Sequence, residues 1–120
     1  GALGWALLEP LGDSNALALG PGAPGILWVG WGQLPFTQGG VAFTEDRSLF
    51  FDAPFDGLNG VTVSDIAADP TNPQRILTCG SYFGSLSVDG GTTWQLARAP
   101  ALGTSLAFDP EAPGVVYEGA

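Results

Sequence analysis

The sequence contains no histidine and no lysine, a single cysteine, and only three arginines against twelve acidic residues, giving a net charge of −9 over 120 residues. Without histidine there is no imidazole general base and no ordinary zinc site. Lone Cys79 has no second thiol for an internal disulfide. The missing basic patch argues against nucleic acid and against an anionic membrane surface as partners. No apolar run reaches the roughly 18 to 20 residues of a membrane span, because glycine and proline interrupt every one. No signal peptide is visible, and none of the usual targeting signals guides a compartment assignment.

Helix-compatible stretches are equally scarce. Nineteen glycines and ten prolines punctuate the chain, no helical run of a dozen residues is expected, and the nearest candidate, from Trp5 to Leu8, is too short. Short strands joined by tight turns are the expectation, in a chain the size of one domain. The acidity serves to keep an apolar, glycine-rich chain soluble.

Three segments share one pattern: residues 16–28, 65–77 and 105–117. Each carries Pro-x-x-Pro at the same place, namely Pro21/Pro24, Pro70/Pro73 and Pro110/Pro113, followed by an aliphatic strand. Steps of this length match a four-stranded antiparallel unit. For the central unit the strands are predicted near Val61–Ala68, Arg75–Cys79, Phe83–Val88 and Thr92–Ala97. Ala18, Ala67 and Ala107 form a small-residue row suited to a close approach between inner strands. Leu17, Leu19, Ile66, Leu106 and Phe108 form the opposite row, expected to carry packing between units. A β-sandwich with chance alternation is the alternative.

Between the third and fourth predicted strands lies Ser87-Val88-Asp89-Gly90-Gly91-Thr92-Thr93-Trp94. Gly90 and Gly91 can take positive φ, and Asp89 can accept backbone N–H groups across its own turn. Ser87 and Thr93 can tie the ends together, and Trp94 can hold the turn against the sheet.

With Ser87, Asp89, Gly91, Thr93 and Trp94 in place, this octad resembles the Asp-box, or BNR repeat, of sialidases, xyloglucan-cleaving glycosidases and sortilin-type receptor domains. A degenerate version is found at Thr44, Asp46 and Phe51, with Ser48 where the second glycine belongs. Trp5 resembles the tail of another. The resemblance implies an all-β chain forming a partial β-propeller of about two and a half four-stranded antiparallel blades with Asp-box turns. Residues 1–10 would be an outer strand of a preceding blade, and 14–55 a blade with the degenerate box. Residues 61–98 would be a blade with the full box, and 103–120 the first two strands of a further blade. Such an open arc implies completion by other protein chains or by missing blades of the same propeller, with a self-contained small β domain as the runner-up.

The resemblance also places the ligand face at the long loop 30–40, where Trp31, Gln33, Phe36 and Gln38 could hold a glycan. The same aromatics could instead cap the blade. Asp65 and Asp56 are the weak catalytic candidates. A glycosidase needs two carboxylates roughly 5 to 9.5 Å apart, and no other pair is suggested. Asp56-Gly57 also reads simply as a turn. Asp69 and Asp109 precede prolines and read as turn caps, and Cys79 as a small buried strand residue. Three scattered arginines do not make the cluster that sialidases use. No cofactor or metal is expected. The function expected is a non-catalytic structural or protein- or glycan-binding propeller module, extracellular or in the cell envelope by family habit. The alternative is a glycoside hydrolase fragment of the xyloglucan-cleaving type.

Overall fold

A computed structural model describes residues 4, 14–22, 25–33, 38–46, 51–52, 63–80, 84–97 and 105–119. Among them are ten strands and no helix. β1 (Ser14–Leu19), β2 (Leu27–Gln33), β3 (Gln38–Thr44) and β4 (Phe51–Asp52) form a first antiparallel sheet in chain order. β5 (Val63–Ala68), β6 (Ile76–Gly80), β7 (Gly84–Ser87) and β8 (Gln95–Ala97) form a second, and β9 (Ser105–Phe108) with β10 (Val116–Gly119) a third.

The punctuation of the sequence explains these hairpins. The loops after β1, β5 and β9 each close with one backbone bond spanning six residues: Gly20 N–H to Ile26 O, Asp69 N–H to Arg75 O, and Asp109 N–H to Val115 O, at 2.8, 3.0 and 2.9 Å. Proline inside each loop supplies no N–H and cannot continue the ladder, so the strands stop there.

β5 is the strand on which the sheets meet. It packs against β1 and β2 on one side and against β9 on the other. A register shift between Val63 and Asp65 marks a bulge at Ser64. The extra residue turns Val63 and Ile66 to the same face, although they are three apart. That face meets Ala16, Trp28 and Val41 of the first sheet and, with Ile76 and Trp94, completes one buried cluster. Full burial of a side chain such as Ile76 is worth roughly 1.5–3 kcal/mol. The seam is narrow: a Cβ on Gly30 would lie 2.5 Å from Cγ1 of Val63. Only glycine fits there.

The expectation of an all-β chain holds, but the partial β-propeller does not. The described residues form three separate, open sheets of four, two and four strands, which do not close on one another as propeller blades do. Alternation and Gly/Pro punctuation are local signals that specify hairpins. They carry no information on how sheets are disposed around an axis. Of the row expected to carry packing between units, Ile66 is buried against the first sheet, but the row is not buried along its length. Leu17 and Leu19 are 58% and 61% exposed. Of the small row, Ala67 is buried and Ala18 half-buried, while Ala107 is exposed, so these alanines share no common hub. Residues 1–10, apart from Gly4, lie outside the described residues, as do Trp5 and Ser48.

Candidate functional site

The octad turn is a dense knot of hydrogen bonds centred on Asp89. Ser87 Oγ donates to Asp89 Oδ1 at 2.8 Å and accepts from Gly91 N–H at 2.8 Å. Thr92 N–H and Thr93 N–H both donate to Asp89 Oδ1, at 3.1 and 2.9 Å. The Thr93 hydroxyl donates to Asp89 Oδ2, and the Thr92 hydroxyl to the Asp89 carbonyl. The Thr93 hydroxyl above all, then the Thr93 N–H and the Ser87 hydroxyl, bring the Asp89 carboxyl down to about 2. Gly90 and Gly91 have φ of 74° and 90°. Gly90 N–H donates to Gln74 O at 2.9 Å, tying this turn to the β5–β6 loop. Trp94 is buried behind it, with no acceptor for its ring N–H among the described residues.

The degenerate octad shares the beginning of this knot. Thr44 Oγ1 donates to Asp46 Oδ1 at 3.1 Å and accepts from Asp46 N–H at 3.3 Å. Phe51, at the tryptophan position, is exposed and tilts against Phe43, with ring centroids 6.0 Å apart.

Asp65, Asp69 and Asp109 are also engaged by backbone donors. Asp69 is 1% exposed. Its Oδ1 accepts from Thr71 N–H at 2.8 Å and from the Thr71 hydroxyl at 2.7 Å, and its Oδ2 takes Arg75 Nη1 at 2.9 Å. Burial pushes this carboxyl upward, but the Thr71 bonds and the Arg75 charge together outweigh it and leave it below its ordinary value. Asp109 accepts from Glu111 N–H, Ala112 N–H and the Tyr117 hydroxyl. The Glu111 N–H leads in lowering it.

Asp65, the catalytic candidate, joins two sheets. Its Oδ1 accepts from Ile66 N–H at 2.9 Å and its Oδ2 from Leu106 N–H of β9 at 2.7 Å. The matched segments have Ala16 and Ser105 at this position, so the repeat itself requires no charge here. An isolated backbone donor across a sheet boundary leaves no pattern in the sequence. Asp56 and Phe36 lie outside the described residues, as do the side chains of Gln33 and Gln38. Trp31 is half-buried in β2, paired with Ser14 and Gly40. Cys79 is buried in β6, opposite Asp65 of β5. Burial first, then the Asp65 charge, pushes its thiol up to about 11. Among the described residues no group of three carboxylate or thiol side chains gathers to hold a metal.

A feature not anticipated from sequence is an open groove of ≈ 760 Å³ where the second and third sheets diverge. Leu77 and Leu86 line it from one side and Leu106, Phe108 and Val116 from the other, with Arg75 and Glu118 among the lining side chains. The corresponding pair on the first sheet, Trp28 and Phe43, meets a different situation: Gly91 of the octad turn sits against the Trp28 ring. The third sheet has no strand beyond β10 among the described residues, so Leu77 and Leu86 lack such a cover.

The chain matches no family model, no curated protein and no solved structure. The resemblance of the octad to the Asp-box is therefore not upheld as family membership. With three open sheets in place of a ring, the propeller-module function, its glycoside hydrolase alternative and the expected completion by missing blades fall with it.

Proposed function

We propose that this small β domain is a binding module that docks an apolar ligand surface in the groove between its second and third sheets and performs no covalent chemistry. The groove carries the reading. Its volume lies within the roughly 300–1,000 Å³ of ordinary ligand sites, and its walls are aliphatic and aromatic with two charged residues among them. The use of the carboxylates supports the second half. Asp65, Asp69, Asp89 and Asp109 each accept at least two hydrogen bonds, and Asp69, Asp89 and Asp109 are drawn toward the ionised form. A general acid needs the opposite shift.

Titration with Nile red, a neutral apolar dye, tests the groove. The expected result is saturable fluorescence enhancement that falls about tenfold in affinity in Val116→Glu, where a charge enters the apolar wall. Enhancement indifferent to that substitution, with near-ultraviolet circular dichroism intact, would remove the groove as the binding site.

A further inference from the structure

The two seams between sheets use matched strands but different residues. In the first sheet a register shift between Ser14 and Ala16 leaves Ala16 opposite Gly30. In the second, a register shift between Val63 and Asp65 leaves Asp65 opposite Cys79. Ala16 and Gly30 leave room for Val63 to enter, and Ala16, Trp28, Val41, Val63 and Ile66 close into one buried cluster. At the second seam the matched pair is larger and polar, and there the sheets part around the groove.

Resting on the groove reading above, we infer that Asp65 is the positioning residue of the groove, a strut that fixes where β9 stands relative to β6. Its carboxylate is oriented from its own strand, by Ile66 N–H on Oδ1 at 2.9 Å. It reaches the neighbouring sheet through Oδ2, which accepts from Leu106 N–H at 2.7 Å. Leu106 is itself part of the groove wall, so this bond fixes the backbone that carries one side of the site.

A second contact restrains the far end. Arg75, held by Asp69 at 2.9 Å, lies beside the β9–β10 loop, where a Cβ on Gly114 would meet its Nη1 at 3.5 Å. Asp65 stands opposite Cys79, and Arg75 directly precedes Ile76. The two contacts therefore flank β6 at opposite ends, with Leu77 and Thr78 of the groove between them. An apolar ligand brings no strong polar contact to draw two walls together, so walls already fixed at both ends favour its binding.

Asparagine does not replace this carboxylate. An amide offers one acceptor oxygen for two N–H groups and turns its own NH2 against the other. Asp65→Ala combined with Cys79→Gly removes the strut and installs the pair that the first seam uses.

The test uses the whole chain. Amide exchange at Leu106, followed by NMR, reads the bond, and Nile red, being neutral, reads the groove without reading the change of charge. Expected for Asp65→Asn are Leu106 exchange faster by about tenfold, shifted methyl resonances at Leu77 and Leu86, and dye affinity lower by about tenfold. The double variant should lose more dye affinity than Asp65→Asn. Val41→Ala, which thins the first seam, should lower the urea midpoint and leave dye affinity alone. Unchanged Leu106 exchange in Asp65→Asn, unchanged dye affinity, or an equal loss of affinity in Val41→Ala would overturn the proposal. If the dye responds to Val116→Glu but not to Asp65→Asn, the groove reading stands and the strut falls. If the dye ignores Val116→Glu, the groove reading fails, and unmoved Leu77 and Leu86 resonances in Asp65→Asn then overturn the strut as well.

Discussion

Gly91 lies against the ring of Trp28: a Cβ at position 91 would stand 2.6 Å from the ring atom Cη2. The two residues belong to different sheets, and Gly91 also holds φ at 90°. Gly91→Ala therefore meets two penalties, backbone strain and overpacking against a buried indole. Their sum is about 2–5 kcal/mol. Gly90→Ala faces only the Gln74 side-chain amide, which can move aside, and should cost about 1–2 kcal/mol from its φ alone. Urea denaturation of the two variants checks the difference. Equal losses would mean that the contact with Trp28 contributes nothing.

Acid should weaken the fold through Asp89. Its carboxyl sits at about 2 when folded, against 3.8 for an ordinary aspartate. A folded-state value that is depressed gives stabilisation that is complete above the ordinary value and disappears as pH falls from there toward 2. Asp89→Asn should flatten that limb of the stability curve. Denaturant midpoints measured down the acid range on both proteins provide the comparison.

Asp69 should matter more than Asp109, although their loops close alike. Asp69 is buried with two Thr71 donors and a guanidinium, whereas Asp109 is partly exposed. Asp69→Asn replaces an anion held by Thr71 and Arg75 with a neutral amide, at about 1–3 kcal/mol. Asp109→Asn should lose measurably less. Thermal melts of the pair at neutral pH decide the order.

Cys79 should be chemically silent in the folded protein. Burial leaves the thiol inaccessible, and a value of about 11 leaves almost no thiolate at about pH 8. Iodoacetamide labelling followed by intact mass should report the unfolding rate and not the intrinsic reactivity of a thiol. Rapid native labelling would contradict the burial.

Much of the local structure was legible. The strands predicted at Val61–Ala68, Arg75–Cys79 and Phe83–Val88 appear within two residues as β5, β6 and β7, because proline and glycine bracket them. The fourth begins at Gln95 instead of Thr92, since the Asp89 knot holds Thr92 and Thr93 in the turn. The roles of Ser87, Asp89 and Thr93 in that turn followed from residue chemistry at short range. Less legible was how one sheet meets another, although Ile66, expected to pack between units, does so. The exposure of Leu17 and Leu19, the Asp65 bond to Leu106 and the groove beside β10 are set by distant neighbours, to which a two-residue alternation is blind.

The bond from Gly90 N–H to Gln74 O joins the end of one hairpin to the end of its neighbour. Neither turn can swing outward without breaking it, so the two turns should open as one event. The amides of Gly91 and Thr93 on one side and of Thr71 and Arg75 on the other are then expected to share a single opening free energy in hydrogen exchange, with the hairpin ends forming one cooperative unit.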